Sequence, residues 1–321
     1  IVPHYKEPWE CCKYLFDSIA MQRGVDLSEI RVLVINDGDE SVLDETVFND
    51  YPYLIEYHIT SHKGVSAARN KGIDLSTADY LMFCDIDDGF LNNYALRLIF
   101  NKIKEGFDFC HSYFVEEVET KDGSIQLVSH NDDVTFVHGK VYRREFLIEK
   151  ELRFDETMTV HEDGYFNSIV FVEAKDSTVK ITTPIYLWMW NENSTVRKDG
   201  EDFVLKSYRE VMQSRTGICN EYKRRGHDEE YKLAVCNTVL NSYYDFQKPS
   251  YNLAKNEKRR RIAEKAFKQF YIQFKKDFFS CSNHEVAEVA QVARQTACKN
   301  GMLLEEQDLR TWLRHIEYEV K

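Results

Sequence analysis

Short apolar runs separated by helical stretches constrain the first two hundred residues more than any other feature. IleVal at 1–2, IRVLVIND at 30–37, LIEYHIT at 54–60 and YLMFCDID at 80–87 read as strands. The second and fourth are continuous enough to be buried. Between them, Trp9 to Arg23 places Cys12, Leu15, Phe16, Ile19 and Ala20 on one helical face. GVSAARNKGIDLS at 64–76 reads as a helix that stops near Ser76. Strands alternating with helices predict an α/β domain with a largely parallel central sheet. From about Phe203 the strand runs vanish. Val204, Tyr208, Val211, Met212 and Cys219 share one helical stripe, and Phe267, Phe270, Tyr271, Phe274 and Phe278 share another. The expected division is a catalytic domain at 1–200 and an all-α domain at 201–321, with the boundary near Asp199-Gly200.

Ligands of open α/β sheets bind beyond the carboxyl ends of the strands, so the strand ends come first. After the first strand stand Pro3, His4 and Tyr5; after the second, Asn36, Asp37 and Gly38; after the fourth, Asp85, Asp87 and Asp88. Three carboxylates at the tip of an apolar strand repel one another and are costly to desolvate. A strand running through Asp85 and Asp87 would put both on one face. Paired hard oxygen ligands suit Mg²⁺ or Mn²⁺ together with water and substrate phosphates. A solvated loop or a helix cap would use the same residues without a metal.

Composition narrows the function. The chain has 321 residues, 43% of them hydrophobic and 30% charged, a balance that supports a full core. Its net charge of −12 disfavours nucleic acid as a partner. The eight cysteines form no C-x-x-C pair, which predicts reduced thiols and a cytoplasmic setting. No apolar run reaches 18 residues, so no membrane helix is expected, and no signal peptide is visible. The chain opens on Ile1-Val2 inside a strand-like run, as if a few residues preceded it.

Taken in order, the motifs resemble family 2 glycosyltransferases of the GT-A fold. IVPHY matches the first strand and its nucleotide-facing turn. LFDSIAMQ at 15–22 matches L-x-S-I-x-x-Q, and VINDGDE at 34–40 matches V-N-D-G-S-x-D. GVSAARNKGI at 64–73 matches G-x-x-x-A-R-N-x-G-I, CDIDD supplies the D-x-D, and FDETMTVHEDGYFN at 154–167 matches the segment that carries the catalytic base. The resemblance covers roughly residues 1–197. It implies a GT-A domain, Rossmann-like with a mostly parallel sheet flanked by helices, ahead of the helical remainder. It also implies an enzyme that moves one sugar from a UDP-sugar to an acceptor hydroxyl with inversion, in cell-surface glycan, teichoic acid or capsule-type synthesis.

Residue by residue, the resemblance implies that Asp87 holds Mn²⁺ or Mg²⁺ directly, with Asp85 on the metal or on the ribose of the nucleotide sugar and Asp88 in support. Asp37 would bind the uracil, and Pro3, Tyr5 and Arg69 would lie around the nucleotide. Asp163 would be the general base, with Glu162 in reserve. His138, in HGKVYRREFL at 138–147, would meet acceptor or diphosphate, and Ser194 and Arg197 would cover the donor phosphates. Structural readings stand beside these. Asp37 before Gly38 suits a turn, Asp163 suits a helix N-cap, Arg69 suits a helix surface, His138 suits a loop hydrogen bond, and Trp188 and Trp190 suit either sugar stacking or core packing. Without Q-x-x-R-W and a membrane helix, the chain does not resemble the processive synthases of this family.

The basic run KNEKRRR at 255–261 suits a polyol-phosphate acceptor or an anionic membrane surface, or else a solvated helix face. The aromatic stripe after it suits core or homo-oligomer packing. A sugar nucleotidyltransferase is one alternative, although PHYKEPWE is no Gly-rich phosphate loop. A non-catalytic sugar-nucleotide or glycan-binding scaffold is the other.

Overall fold

The computed structural model describes residues 1–38, 42–192, 201–248, 257–298, 303–304 and 307–320, with the side chains of 201–205 excepted. They fall into two compact units, residues 1–197 and 198–321.

The first unit is α/β. Strands β1 (Val2–His4), β2 (Arg31–Asp37) and β3 (Leu54–Thr60) form a parallel sheet in the order β1-β2-β3. Strand β4 (Tyr80–Met82) runs beside β1. The Ile1 amino group donates to the Met82 carbonyl at 2.8 Å, and the Cys84 N–H donates to the Ile1 carbonyl at 3.1 Å. The carboxyl ends of β1, β2 and β4 therefore share one edge. Two helices flank this half. Helix α1 (Trp9–Ala20) buries Cys12, Leu15, Phe16 and Ile19 on the expected face. Helix α2 (Val65–Leu75) sets Ala68 against Leu33 and Ile35 of β2.

The expected parallel order holds in that half, and the other half is mixed. It contains β5 (Gly89–Phe90), β6 (Phe109–Glu119), β7 (Ile125–His130), β8 (Lys140–Arg143) and β9 (Thr178–Trp188), with helices α3 (Ala95–Ile103), α4 (Arg144–Glu149) and α5 (Glu162–Glu173). The order is β4-β8-β6-β9-β5, with β7 hairpinned onto β6. Strand β8 is antiparallel to both β4 and β6, whereas β9 lies parallel to β6. The fourth strand is also shorter than expected. It stops at Met82, and the Asp88 N–H bonds back to the Asp85 carbonyl at 3.1 Å, so the aspartates occupy a turn rather than alternating along a strand.

The second unit is helical: α6 (Glu201–Arg225), α7 (Asp228–Phe246), α8 (Glu257–Ser280), α9 (Asn283–Ala297) and α10 (Leu309–Tyr318). The aromatic stripe of α8 is its core. Phe267, Phe270, Tyr271, Phe274 and Phe278 are all buried, and Trp312 of α10 stacks on Phe267 at 5.0 Å. The stripe expected along α6 shifts. Cys219 is buried, but Tyr208, Val211 and Met212 are only half-buried, while Glu210 and Ser214 lie inside. Val204 falls outside the described side chains. Residues 255–256 of the basic run also fall outside the described residues. Within it, Arg260 pairs with Glu264 at 2.8 Å and Arg261 with Glu257 at 2.5 Å, so much of its charge is met one helical turn away. Among the described residues no helix is long and apolar enough to cross a membrane.

Candidate active site

The turn before α2 is built around Asp37. Its Oδ1 accepts from the Lys63 N–H at 2.7 Å, and its Oδ2 from the Gly64 N–H at 2.7 Å and from His62 Nδ1 at 2.8 Å. Asp37 is the last residue of β2 rather than part of an Asp-Gly turn, and its buried carboxylate holds the 62–64 backbone ahead of α2. Tyr5 stacks on His62 with ring centroids 4.3 Å apart and stays 39% exposed. Its aromatic surface and the buried Asp37 carboxylate thus share the strand-end edge. Pro3 sits within β1 opposite Ile35. His4 is buried, with Nε2 on the Glu7 carbonyl at 2.9 Å, and is structural.

Helix α2 then delivers Arg69 inward, not to the surface. The guanidinium is 3% exposed and lies over the Phe154 ring at 5.3 Å. Nη1 donates to Glu162 Oε1 at 2.9 Å and to Asp163 Oδ1 at 2.6 Å, and Nη2 donates to Asp85 Oδ1 at 3.1 Å. Burial opposes the guanidinium charge, but Asp163, Asp85 and Glu162 together outweigh it and push its pKa up. Asn70 braces the same wall. Its Nδ2 donates to the Phe154 carbonyl at 2.9 Å and its Oδ1 accepts from the Phe154 N–H at 3.0 Å. The A-A-R-N run thus ties helix α2 to the segment leading into α5.

Helix α5 opens at Glu162 after His161, which adopts a left-handed φ of 63°. Such a backbone is uncommon outside glycine, and strain of this kind gathers at functional sites. Asp163 is therefore a first-turn residue and not the N-cap. Its Oδ2 accepts from the Val137 N–H at 3.1 Å. Burial pushes its pKa up to about 8, Arg69 opposes the rise, and Glu162 and Asp85 add to it. A carboxylate poised near neutrality suits proton abstraction.

The three aspartates of the turn separate. Asp85 faces Arg69. Asp87 accepts from Asn191 Nδ2 at 2.7 Å. Asp88 is buried, accepting from the Tyr186 hydroxyl at 2.7 Å and the Met189 N–H at 2.9 Å. The Tyr186 hydroxyl in turn accepts from the Asp85 N–H at 3.1 Å. Burial and then the charges of Asp85 and Asp87 drive the Asp88 pKa well upward. His138 is 3% exposed and packs between Phe136 and Tyr186, with Phe114 and Trp188 close by. Burial lowers its pKa to about 4, with Asp85 opposing, so the ring is neutral.

Among the described residues, ligand atoms of Asp85, Asp88 and His138 all lie within 4.8 Å of one another. Asp87, expected from the sequence as the direct metal ligand, is not in that set. Among the described residues no hydrogen-bond partner meets the buried His138 Nδ1. An orphaned imidazole nitrogen beside two carboxylates fits a divalent cation.

Trp188 packs on Phe136 at 5.4 Å, and the Trp190 N–H donates to Glu117 at 2.9 Å. Ser194 and Arg197 lie outside the described residues. Sequence reasoning missed Tyr186, His62 and Asn191. A strand tyrosine carries no motif, and only the fold brings Tyr186 to Asp88.

The glycosyl transferase family 2 model matches residues 1–174, more than half of the chain. This chain belongs to glycosyl transferase family 2. It is 26% identical over 266 residues to the uncharacterized glycosyltransferase EpsJ of Bacillus subtilis (strain 168), covering 75% of each protein. It is 25% identical over 267 residues to the glycosyltransferase GlyA of Streptococcus pneumoniae serotype 4 (strain ATCC BAA-334 / TIGR4), covering 75% of this chain and 36% of GlyA. Among solved structures it resembles S. aureus TarS, with a TM-score of 0.61 and 15% identity over 92% of this chain. It also resembles TarS 1–349 in complex with UDP, with a TM-score of 0.55 and 15% identity, covering 92% of this chain and 89% of that one. The chain spans 54% of the longer TarS chain. The fold is GT-A, and the family makes the chain a transferase enzyme.

Proposed function

We propose that this glycosyltransferase is a metal-dependent, inverting enzyme that moves one sugar from a UDP-sugar to an acceptor hydroxyl. The observation that carries the proposal is the Arg69 guanidinium, which joins Asp85 of the acidic turn to Glu162 and Asp163 at the start of α5. Donor and acceptor chemistry need those two groups side by side.

Tyr5 supplies an exposed ring for the base, and Asp37 holds the backbone beside it with one Oδ1 lone pair left for a uracil N–H. UDP as the nucleotide is supported by the shared fold of TarS 1–349, which was determined with UDP. A cation at the acidic turn would neutralise charge developing on the leaving diphosphate. Asp85 belongs both to the ligand pair expected from the sequence, with Asp87, and to the set grouped by the geometry, with Asp88 and His138. Asp163 takes the acceptor proton, since its raised pKa makes it the stronger base. Arg69 fixes its orientation and balances its charge. A single base on the acceptor side, without a covalent intermediate, gives inversion.

The acceptor class, a glycan or polyol-phosphate polymer, is inferred from the family resemblance and from the basic run at 255–261. The helical unit would serve acceptor binding or assembly. UDP release from a panel of nucleotide sugars, with Mn²⁺, Mg²⁺ or EDTA, tests the reading. A metal-independent or non-UDP donor activity would overturn it.

A further inference from the structure

We propose that His138 is a direct nitrogen ligand of the cation at the acidic turn, completing a set with Asp85 and Asp88, and that it makes this enzyme select Mn²⁺ over Mg²⁺. The inference rests on the metal-dependent reading above and assigns a residue and a selectivity to it.

Geometry comes first. His138 Nδ1 lies 3.9 Å from Asp88 Oδ2, too far for a hydrogen bond and close enough for one ion to touch both. The three candidate ligand atoms lie within 4.8 Å of one another. The nitrogen is buried without a partner among the described residues, and such an atom costs about 1–3 kcal/mol if nothing meets it. A cation meets it and also offsets the repulsion between Asp85 and Asp88.

The surroundings fix the ring. His138 stacks on Tyr186 at 4.9 Å and on Phe136 at 5.5 Å, and Trp188 lies 5.0 Å away. Gly139 follows with φ of 67°, and a Cβ there would lie 2.2 Å from Ser112 Oγ. That close passage sets the direction in which the chain leaves His138. Tyr186 orients Asp88 by its hydroxyl, as partners behind metal ligands do. The aromatic wall packs the ring but offers the nitrogen no acceptor or donor.

Selectivity follows from ligand type. Mg²⁺ prefers oxygen ligands and dehydrates reluctantly. Mn²⁺, a transition-metal ion that gives up its water more easily, accepts an imidazole nitrogen beside carboxylates more readily than Mg²⁺ does. A set of oxygen ligands alone would discriminate less.

The test is pulsed EPR on the full chain with Mn²⁺ and UDP. Electron spin-echo modulation reads nitrogen bound directly to Mn²⁺, and ¹⁵N-histidine labelling separates it from uracil nitrogen. The expected result is a histidine signal in the parent protein that vanishes in His138→Phe, a substitution that keeps the aromatic packing. Mn²⁺ affinity, read from the free-ion EPR signal, should fall about tenfold or more in that variant, and the Mn²⁺ to Mg²⁺ affinity ratio should fall with it. Bound Mn²⁺ without a histidine signal would overturn the assignment and leave the metal-dependent reading standing. So would loss of Mn²⁺ in Asp87→Asn with His138→Phe unaffected. Absence of Mn²⁺ binding with or without UDP would overturn both.

Discussion

Arg69 Nη1 lies 2.6 Å from Asp163 Oδ1 inside a wall made by Phe154 and helix α2. The same guanidinium touches Glu162 and Asp85, so one positive charge serves three carboxylates drawn from two separate segments. Removing one partner of a buried ion pair leaves uncompensated charge and costs about 3–5 kcal/mol. Arg69→Met should therefore destabilise the protein by about that amount in urea unfolding. Arg69→Lys keeps a charge but loses the planar fork that reaches both segments. It should fall between the parent and Arg69→Met in stability while losing most turnover.

Asp163 and Glu162 share that nitrogen, yet only Asp163 has its second oxygen on the Val137 N–H. Positioned general bases contribute about 10²–10⁴-fold. Asp163→Asn should lower kcat within that range while leaving UDP affinity near the parent value, measured by calorimetry. Glu162→Gln should cost less. If the larger loss follows Glu162→Gln, the base is Glu162.

Much of this cluster was legible in the sequence, and the illegible part has a physical cause. The edge that carries His4, Asp37 and the turn of Asp85 could be placed because buried parallel strands read as continuous apolar runs. The A-A-R-N and H-E-D segments could be named because they match a family pattern. Their joining through Arg69 could not be read, since Arg69 and Asp163 are 94 positions apart. The length of β4 was misjudged because Phe83, Cys84 and Ile86 are buried, as strand residues would be, although the strand itself ends at Met82. Tyr186 and the orphaned His138 nitrogen were invisible for the same reason as Arg69. Their neighbours come from distant strands of a mixed sheet whose order no local pattern encodes.

The pH dependence of Asp163 should have opposite signs in rate and stability. Its pKa rises from 3.8 to about 8 on folding. A base must be deprotonated, so kcat/KM should climb as pH rises through about 7 to 8. A carboxyl group whose pKa is raised by folding holds its proton more tightly in the native state. Its contribution is complete below about 4 and is lost as pH rises toward 8. The stability difference between the parent and Asp163→Asn, measured by urea unfolding at several pH values, should therefore shift against the parent over that window. A rate plateau already reached at pH 5 would remove Asp163 as the base.

Gly139 and Ser112 should behave as a coupled pair. Gly139 has φ of 67°, and a Cβ there would meet Ser112 Oγ at 2.2 Å. Ser112 Oγ also donates to the Gly139 carbonyl at 2.9 Å, so it cannot withdraw without losing a bond. Left-handed backbone costs a non-glycine residue about 1–2 kcal/mol before any clash. Gly139→Ala should cost at least that in thermal or urea unfolding. Ser112→Ala removes the obstructing oxygen and one hydrogen bond, a smaller loss of about 1 kcal/mol. The double variant should recover the clash but not the backbone strain, so its loss should be less than the sum of the two singles. Strict additivity would mean that the backbone alone, and not the Ser112 contact, requires glycine beside His138.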